Sequence, residues 1–296
     1  MNEPKISVVM PVWNGERYLR ETVNSVLAQS FGDFELIIVD DGSTDSTPAI
    51  LSSYQDRRLR VFRLDHLDLV GVLRYGMALA RAEWVTRHDA DDISHPLRFE
   101  KQWRAIQQRP SVVLVYTDFE MIGEAGHMQD PGRFPRSRAL VAMKLCYLNP
   151  LAQSTLLFRR TVYEQVGGYD PREIRAEDYS LLGKLVEAGD CIGVVEPLLR
   201  YRVHAASDSR TKAALVRQHA TEIAIRHSCQ FMQLSEEEGT RAFGVLAMAP
   251  EKRVWSEWFW FLRHCVPRLR WKSAELYTWL GWQTLKVLRS NGGGGS

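Results

Sequence analysis

Glu83–Pro96 reads EWVTRHDADDISHP: a short apolar-leaning run, Glu83 to His88, closed by three carboxylates within four residues, Asp89, Asp91 and Asp92. Charges of one sign at that spacing repel unless a cation sits among them. The run has the length of a strand, which puts the acids at its carboxyl end. The segments before it repeat the theme. Lys5–Val12 (KISVVMPV) is a β-branched apolar run, as in a strand buried on both faces of a parallel sheet. Asn14–Gln29 carries Tyr18, Leu19, Val23, Val26 and Leu27 at helical spacing. Phe34–Asp45 (FELIIVDDGSTD) is a second buried strand ended by an Asp/Gly/Ser turn. Ser46 or Thr47 before Pro48 starts a helix running to about Tyr54, Leu59–Leu64 is a third strand, and Val70–Ala82 is again helical.

This alternation predicts an α/β fold: a Rossmann-like, doubly wound, mostly parallel sheet flanked by helices. Ligands of such sheets bind at the carboxyl ends of the strands. DDGSTD and DADD therefore belong to one rim, near one ligand.

Farther on, His95–Pro110 reads as a helix and Ser111–Ile122 as a strand, and Gly123–Arg138, rich in Gly, Pro and Arg, as a loop. Ser154–Arg160 predicts a strand, Thr161–Asp170 a short helix and turn, Ala176–Gly189 an amphipathic helix, and Cys191–His204 two short strands. From about Lys212 the pattern is wholly helical. The expected division is a catalytic domain over 1–210, with a donor half at 1–120 and an acceptor half at 121–210. A helical extension follows over 211–290, and NGGGGS at 291–296 reads as a flexible linker remnant.

Net charge is +2 over 296 residues, which argues against a nucleic-acid binder. Cys146, Cys191, Cys229 and Cys265 include no CxxC pair, and with no signal peptide or 18-residue apolar run the sequence reads as a cytoplasmic chain without a spanning helix.

Hard cations such as Mg²⁺ or Mn²⁺ favour one or two carboxylates plus phosphate oxygens and water. Asp89 and Asp91, after a buried strand, match that preference. The plain alternative is a solvated turn in which Asp92 or Ser94 caps a helix starting at Pro96.

Three stretches, SVVMPVWNGERYLRETVNSVLAQSFGDFELIIVDDGSTDST, ALARAEWVTRHDADDISHPLRFEKQ and GGYDPREIRAEDYSLLGKLVEAG, together resemble glycosyltransferase family 2, over about Lys5 to His204. The resemblance implies a GT-A fold and inverting transfer of a sugar from a nucleotide-sugar, commonly a UDP-sugar, with Mn²⁺ or Mg²⁺. It implies that Trp13, beside Pro11 at the first strand end, lies against the base. Asp41 would hydrogen-bond the base, with Asp40 supporting the turn or the ribose. Asp89 and Asp91 would form the DxD motif, with Asp91 the surer metal ligand. His204 matches a position that often adds a ligand to the metal or diphosphate, although a lone histidine is more often simply packed. Asp178 matches the base of the Glu-Asp motif, supported by Glu177, with Asp92 supporting the turn. The bland reading of Glu177 and Asp178 is a favourable pair of acids in a helix's first turn. The family's bacterial setting implies surface-polysaccharide assembly (lipopolysaccharide, capsule or exopolysaccharide) on a saccharide acceptor, often lipid-linked. The missing QxxRW motif implies single, non-processive addition. His88 and Arg74 depart from the usual pattern.

Lys252–Arg289 holds six of the nine tryptophans and eight Lys or Arg against two Glu. Trp with basic residues marks a helix lying in a membrane interface, here the inner face of the inner membrane. Packing on the catalytic domain or a homodimer contact are the other readings. The rival functions are a sugar-nucleotide nucleotidyltransferase, for which PVWNGERYL is no phosphate loop, and a non-catalytic carbohydrate-binding or scaffold protein. A glycosidase would leave the nucleotide-side acids without purpose, and a dinucleotide dehydrogenase would need a GxGxxG after the first strand.

Overall fold

The computed structural model describes residues 3–124, 128–132, 134–204, 213–249 and 252–292. The chain forms two compact units. One comprises Met1–Phe134 with Leu151–Lys212, the other Pro135–Pro150 with Ala213–Ser296.

In the first unit, β1 (Ile6–Val12), α1 (Leu19–Leu27), β2 (Phe34–Asp40), α2 (Thr47–Ser52), β3 (Leu59–Arg63), α3 (Leu69–Ala78) and β4 (Trp84–Arg87) follow the expected alternation. β1 pairs in parallel with both β2 and β4, and β2 with β3. Ile6, Val8, Val9 and Met10, with Leu36 to Val39, are fully buried, which is why these strands read as unbroken apolar runs. Because β2 and β4 flank β1 in parallel, their carboxyl ends, Asp40 and Arg87, open on one rim.

The rest of the unit is β5 (Ile93–Ser94), α4 (Arg98–Gln108), β6 (Val112–Ile122) and β7 (Met128–Gly132), then β8 (Leu157–Arg159), α6 (Arg160–Gln165), α7 (Glu177–Ala188) and β9 (Asp190–Arg202); α5 (Arg138–Leu145) belongs to the second unit. The strand order is β3-β2-β1-β4-β8-β6-β9-β5, with β7 on β6.

Three expectations need correction. Gly123–Arg138 is not simply a loop, because Met128–Gly132 pairs with β6 despite its Pro and Gly, as a short edge strand tolerates. Cys191–His204 holds one long strand, which ends at Arg202, not two. Thr117 faces Val194 while Asp118 faces Pro197, so Val195 and Glu196 bulge out just before the proline that lacks an N–H. Neither Asp92 nor Ser94 caps α4, whose N-cap is Leu97 with no side-chain cap bond; both residues are spent on β9 and on a buried network described below. Ile93 and Ser94 instead pair antiparallel with Arg200 and Leu199, a two-residue contact too short to leave a sequence period.

The second unit adds α8 (Ala213–Met232), α9 (Glu236–Ala247), α10 (Trp255–His264) and α11 (Ala274–Gly292) to α5. Helix α5 had no counterpart in the sequence reading, and α11 runs through Asn291 and Gly292, past the expected start of the linker, since helical hydrogen bonding propagates beyond the last large side chain. The remaining linker residues, 293–296, lie outside the described residues. Trp258 is fully buried and donates from Nε1 to Thr284 Oγ1 at 3.0 Å. Arg253, nearly buried, donates to the Val245, Leu246 and Met248 carbonyls at the end of α9. No helix among the described residues is long and apolar enough to cross a membrane.

Candidate active site

The loop after β1 is stitched to the turn after β2. Asn14 N donates to Ser43 Oγ (2.9 Å), Thr44 N to Asn14 Oδ1 (2.8 Å), Gly15 N to Thr47 Oγ1 (2.9 Å) and Glu16 N to Asp45 Oδ2 (3.0 Å). The short polar side chains of NGE and STDST thus satisfy backbone groups that would otherwise be unpaired where two strands end. Asp40 accepts from Ser43 N at 2.9 Å and from Arg63 Nη1 at 3.0 Å. Gly42 sits at φ +76°, where a Cβ would lie 3.2 Å from His66 N, so the turn requires glycine.

Asp41 Oδ1 accepts from Leu67 N at 2.7 Å, and its Oδ2 lies 3.3 Å from His66 Nδ1. Burial raises its pKa, against the Leu67 N–H and His66. Trp13 stands above this turn, 57% exposed, its ring 5.2 Å from that of His66. An indole so open at a strand end is not a core residue. Pro11 is half-buried in β1 opposite Val39.

The second acid turn follows β4. Asp92 is buried, and its Oδ1 accepts from Arg202 N at 3.0 Å. Arg202 also donates from Nε to the Asp91 carbonyl (2.9 Å) and from Nη2 to Glu21 Oε2 (2.7 Å). β9 therefore clamps the turn from below. Asp91 Oδ2 meets His204 Nε2 at 2.9 Å. Burial first, then the charge of Asp89, raises the Asp91 carboxyl, while His204 opposes the rise. Burial and both neighbouring carboxylates push Asp92 well above its ordinary range. His88 lies fully buried behind the turn, with Nδ1 2.9 Å from the Asp89 carbonyl and Nε2 2.9 Å from Ser94 Oγ. Arg98 donates to Ser94 Oγ and Thr86 Oγ1, so the residue that departs from the family pattern belongs to a buried polar network.

The Glu-Asp pair opens α7. Glu177 is buried, and its Oε1 accepts from Arg87 Nη1 at 2.9 Å. Arg87 Nε also donates to Asp89 Oδ1 at 2.6 Å. Asp178 is partly open to solvent, but the protein around it and the charge of Glu177 raise its carboxyl to about 7, opposed by Arg87.

Two acid motifs on neighbouring strand ends, a solvent-facing indole above the first, and a carboxyl raised to about 7 beside the Arg87 bridge thus belong to one end of the sheet. The family model described as Glycosyl transferase family 2 matches residues 7–167. The chain belongs to glycosyltransferase family 2. The O-antigen biosynthesis glycosyltransferase WbnJ of Escherichia coli is 30% identical over 218 residues, which are 71% of this chain and 84% of WbnJ. Among solved structures, TarS of S. aureus in complex with UDP-GlcNAc matches with a TM-score of 0.64 and 19% identity over 97% of this chain and 89% of that one. The mannosyltransferase PcManGT from Pyrobaculum calidifontis, in complex with GDP-Man and Mn²⁺, matches at 0.54 and 15% over 100% and 89%. At these identities the structural likeness establishes the GT-A fold. The protein is thus a glycosyltransferase, and the nucleotidyltransferase and binding-protein readings fall away.

In this glycosyltransferase, Asp91 meets His204, Asp92 is held on β9, Glu177 joins Asp89 through Arg87, and Trp13, Asp40 and Asp41 line the ends of β1 and β2. Asp89, Asp91 and His204 do not converge as a three-ligand cage, because Asp89 turns to Arg87; among the described residues no three His, Cys, Asp or Glu side chains converge on one point. Sequence reasoning missed Arg87, Arg202, His66 and Arg63. For two of them a signal existed: Arg87 stands two residues before Asp89, and Arg202 two before His204, each at the end of its strand. His66 lies in a loop with no period and offered none.

Proposed function

We propose that this glycosyltransferase moves a sugar from a UDP-sugar to a hydroxyl of a saccharide acceptor by a single, inverting, non-processive displacement. Trp13 stacks on the base and Asp41 accepts its N–H, with His66 as the adjoining wall. Asp91 with His204 is a carboxylate–imidazole pair, a donor set that fits Mn²⁺ or Mg²⁺ completed by diphosphate oxygens rather than caged by protein. A divalent ion held there would neutralise charge on the departing nucleoside diphosphate. Asp178 takes the proton from the attacking hydroxyl, and a pKa of about 7 suits that task at neutral pH. The observation that carries the reading is the Arg87 bridge from Asp89 to Glu177, the residue next to this raised carboxyl. The O-antigen role of WbnJ supports surface-polysaccharide assembly as the setting. The test is release of nucleoside diphosphate from a panel of UDP-, GDP- and dTDP-sugars, with and without Mn²⁺. Metal-dependent turnover of UDP-sugars is expected, and turnover confined to another nucleotide would overturn the donor assignment.

We propose further that the helical unit rests on an anionic membrane face, where a lipid-linked acceptor would be found. Four of the six C-terminal tryptophans are accounted for within the unit. Trp258 is buried, Trp271 meets Phe231 and Arg138, Trp279 stacks on Tyr147, and Trp260 lies under Arg241. On α11, by contrast, Tyr277, Trp282, Leu285 and Leu288 are all exposed, with Lys286 Nζ 4.2 Å from the Trp282 ring. No acid follows Glu275 in that helix. An apolar, basic face without acids suits lipid headgroups better than a second copy of itself.

A further inference from the structure

We propose that Arg87 is a positioning residue that sets the donor-side acid Asp89 and the Glu177–Asp178 motif against each other, so that donor binding and proton abstraction depend on one guanidinium. The inference rests on the functional reading above and adds to it a residue that neither the acid motifs nor the family resemblance singled out.

Arg87 is the last residue of β4, and 9% of its surface is exposed. Its two contacts reach elements that are far apart in sequence. Nε donates to Asp89 Oδ1 at 2.6 Å, two residues on, and Nη1 donates to Glu177 Oε1 at 2.9 Å, ninety residues on. Both geometries are those of strong charge-assisted hydrogen bonds. Glu177 is itself buried, and its other oxygen, Oε2, has no hydrogen-bond partner among the described residues. Arg87 is thus the salt-bridge partner of this buried side chain. Glu177 opens α7 and Asp178 is the next residue, so fixing Glu177 fixes the start of the helix that presents the base.

The arrangement also divides labour within the DxD motif. One oxygen of Asp89 is committed to Arg87, whereas Asp91 is oriented by His204. A lysine cannot reproduce this. Its single ammonium is a point charge, while the planar guanidinium donates along two directions at once.

The test compares Arg87→Met, Arg87→Lys, Glu177→Gln and Asp178→Asn in the full chain. UDP affinity is measured by calorimetry in Mn²⁺, and turnover on whichever of UDP-glucose, UDP-galactose or UDP-N-acetylglucosamine the wild type uses. Arg87→Met is expected to lower kcat about 100-fold and weaken UDP about 10-fold together. Glu177→Gln cuts only the acceptor-side arm and should lower kcat with UDP affinity unchanged. Arg87→Lys should keep UDP affinity within about threefold while kcat stays depressed. In a double-mutant cycle on kcat, Arg87→Lys and Glu177→Gln should be strongly non-additive. If Arg87→Met does not fold, the Lys and Gln variants and their cycle decide alone. A folded Arg87→Lys with wild-type kcat, or an additive cycle, overturns the proposal. Those results alongside an inactive Asp178→Asn reject Arg87 alone, whereas an active Asp178→Asn rejects the reading of the site beneath it.

Discussion

His204 Nε2 lies 2.9 Å from Asp91 Oδ2, although 113 residues separate them in the chain. Two short pairings make this possible: Ile93 and Ser94 lie against Arg200 and Leu199, and Arg202 holds the Asp91 carbonyl and the Asp92 carboxylate. The contact orients the carboxylate, which packing alone would leave free to rotate. His204→Ala should therefore weaken Mn²⁺-dependent UDP binding by roughly ten- to a hundredfold, as loss of the partner of a metal-facing carboxylate does. Calorimetry at fixed Mn²⁺ measures it, and unchanged affinity would remove His204 from the site.

Asp178→Asn should reduce kcat by about 10²–10⁴ while leaving UDP affinity near wild type. The proposed base, Asp178, has a pKa raised to about 7, and a base works only when ionised, so kcat should fall about tenfold per pH unit below that value. The stability effect has the opposite sense. A carboxyl whose folded pKa is raised contributes stability fully below its unfolded pKa, near 4, and that contribution is lost as pH rises through about 7. The Asn variant should therefore melt higher than wild type at pH 8, and the advantage should vanish toward pH 4. A pH–rate profile beside thermal melts at the two pH values reads both halves.

Trp13→Ala should cost about 1–3 kcal/mol in UDP binding, the range for loss of a base-stacking ring. The indole is 57% exposed, so the melting temperature should barely move. Weakened binding with unchanged melting separates a ligand platform from a packing residue, and an equal loss of stability would argue for packing.

The central sheet was legible because β1 and β2 are buried on both faces, and that leaves unbroken apolar runs with acids at their ends. The acid motifs were legible for a related reason, since carboxylates are rarely crowded without purpose. What could not be read was whatever depends on which chain segments meet. β5 is two residues long, β7 carries a Pro and a Gly, and the Val195–Glu196 bulge made one strand look like two. Arg87 and Arg202 look like ordinary surface arginines until the fold buries them against acids. The tryptophan-rich end had one composition but two uses. Trp258 fills a core, and Trp282 faces outward.

The outward face of α11 should bind lipid. In sedimentation with vesicles containing phosphatidylglycerol, the wild type should pellet and should be released by salt, since surface charge attraction is screened. A Trp282→Ala/Leu285→Ala/Leu288→Ala variant should remain mostly in the supernatant with its turnover on a soluble acceptor intact. Equal pelleting of both proteins would dismiss the face as a membrane contact.

The most direct measurement is a calorimetric titration of UDP into wild type and Asp91→Asn, each with and without Mn²⁺. If the acids at the end of β4 complete their surroundings with a divalent ion and a diphosphate, Mn²⁺ should tighten UDP binding to the wild type by tenfold or more, and the gain should disappear in Asp91→Asn. Wild-type affinity for UDP that is the same with and without the metal would contradict the account.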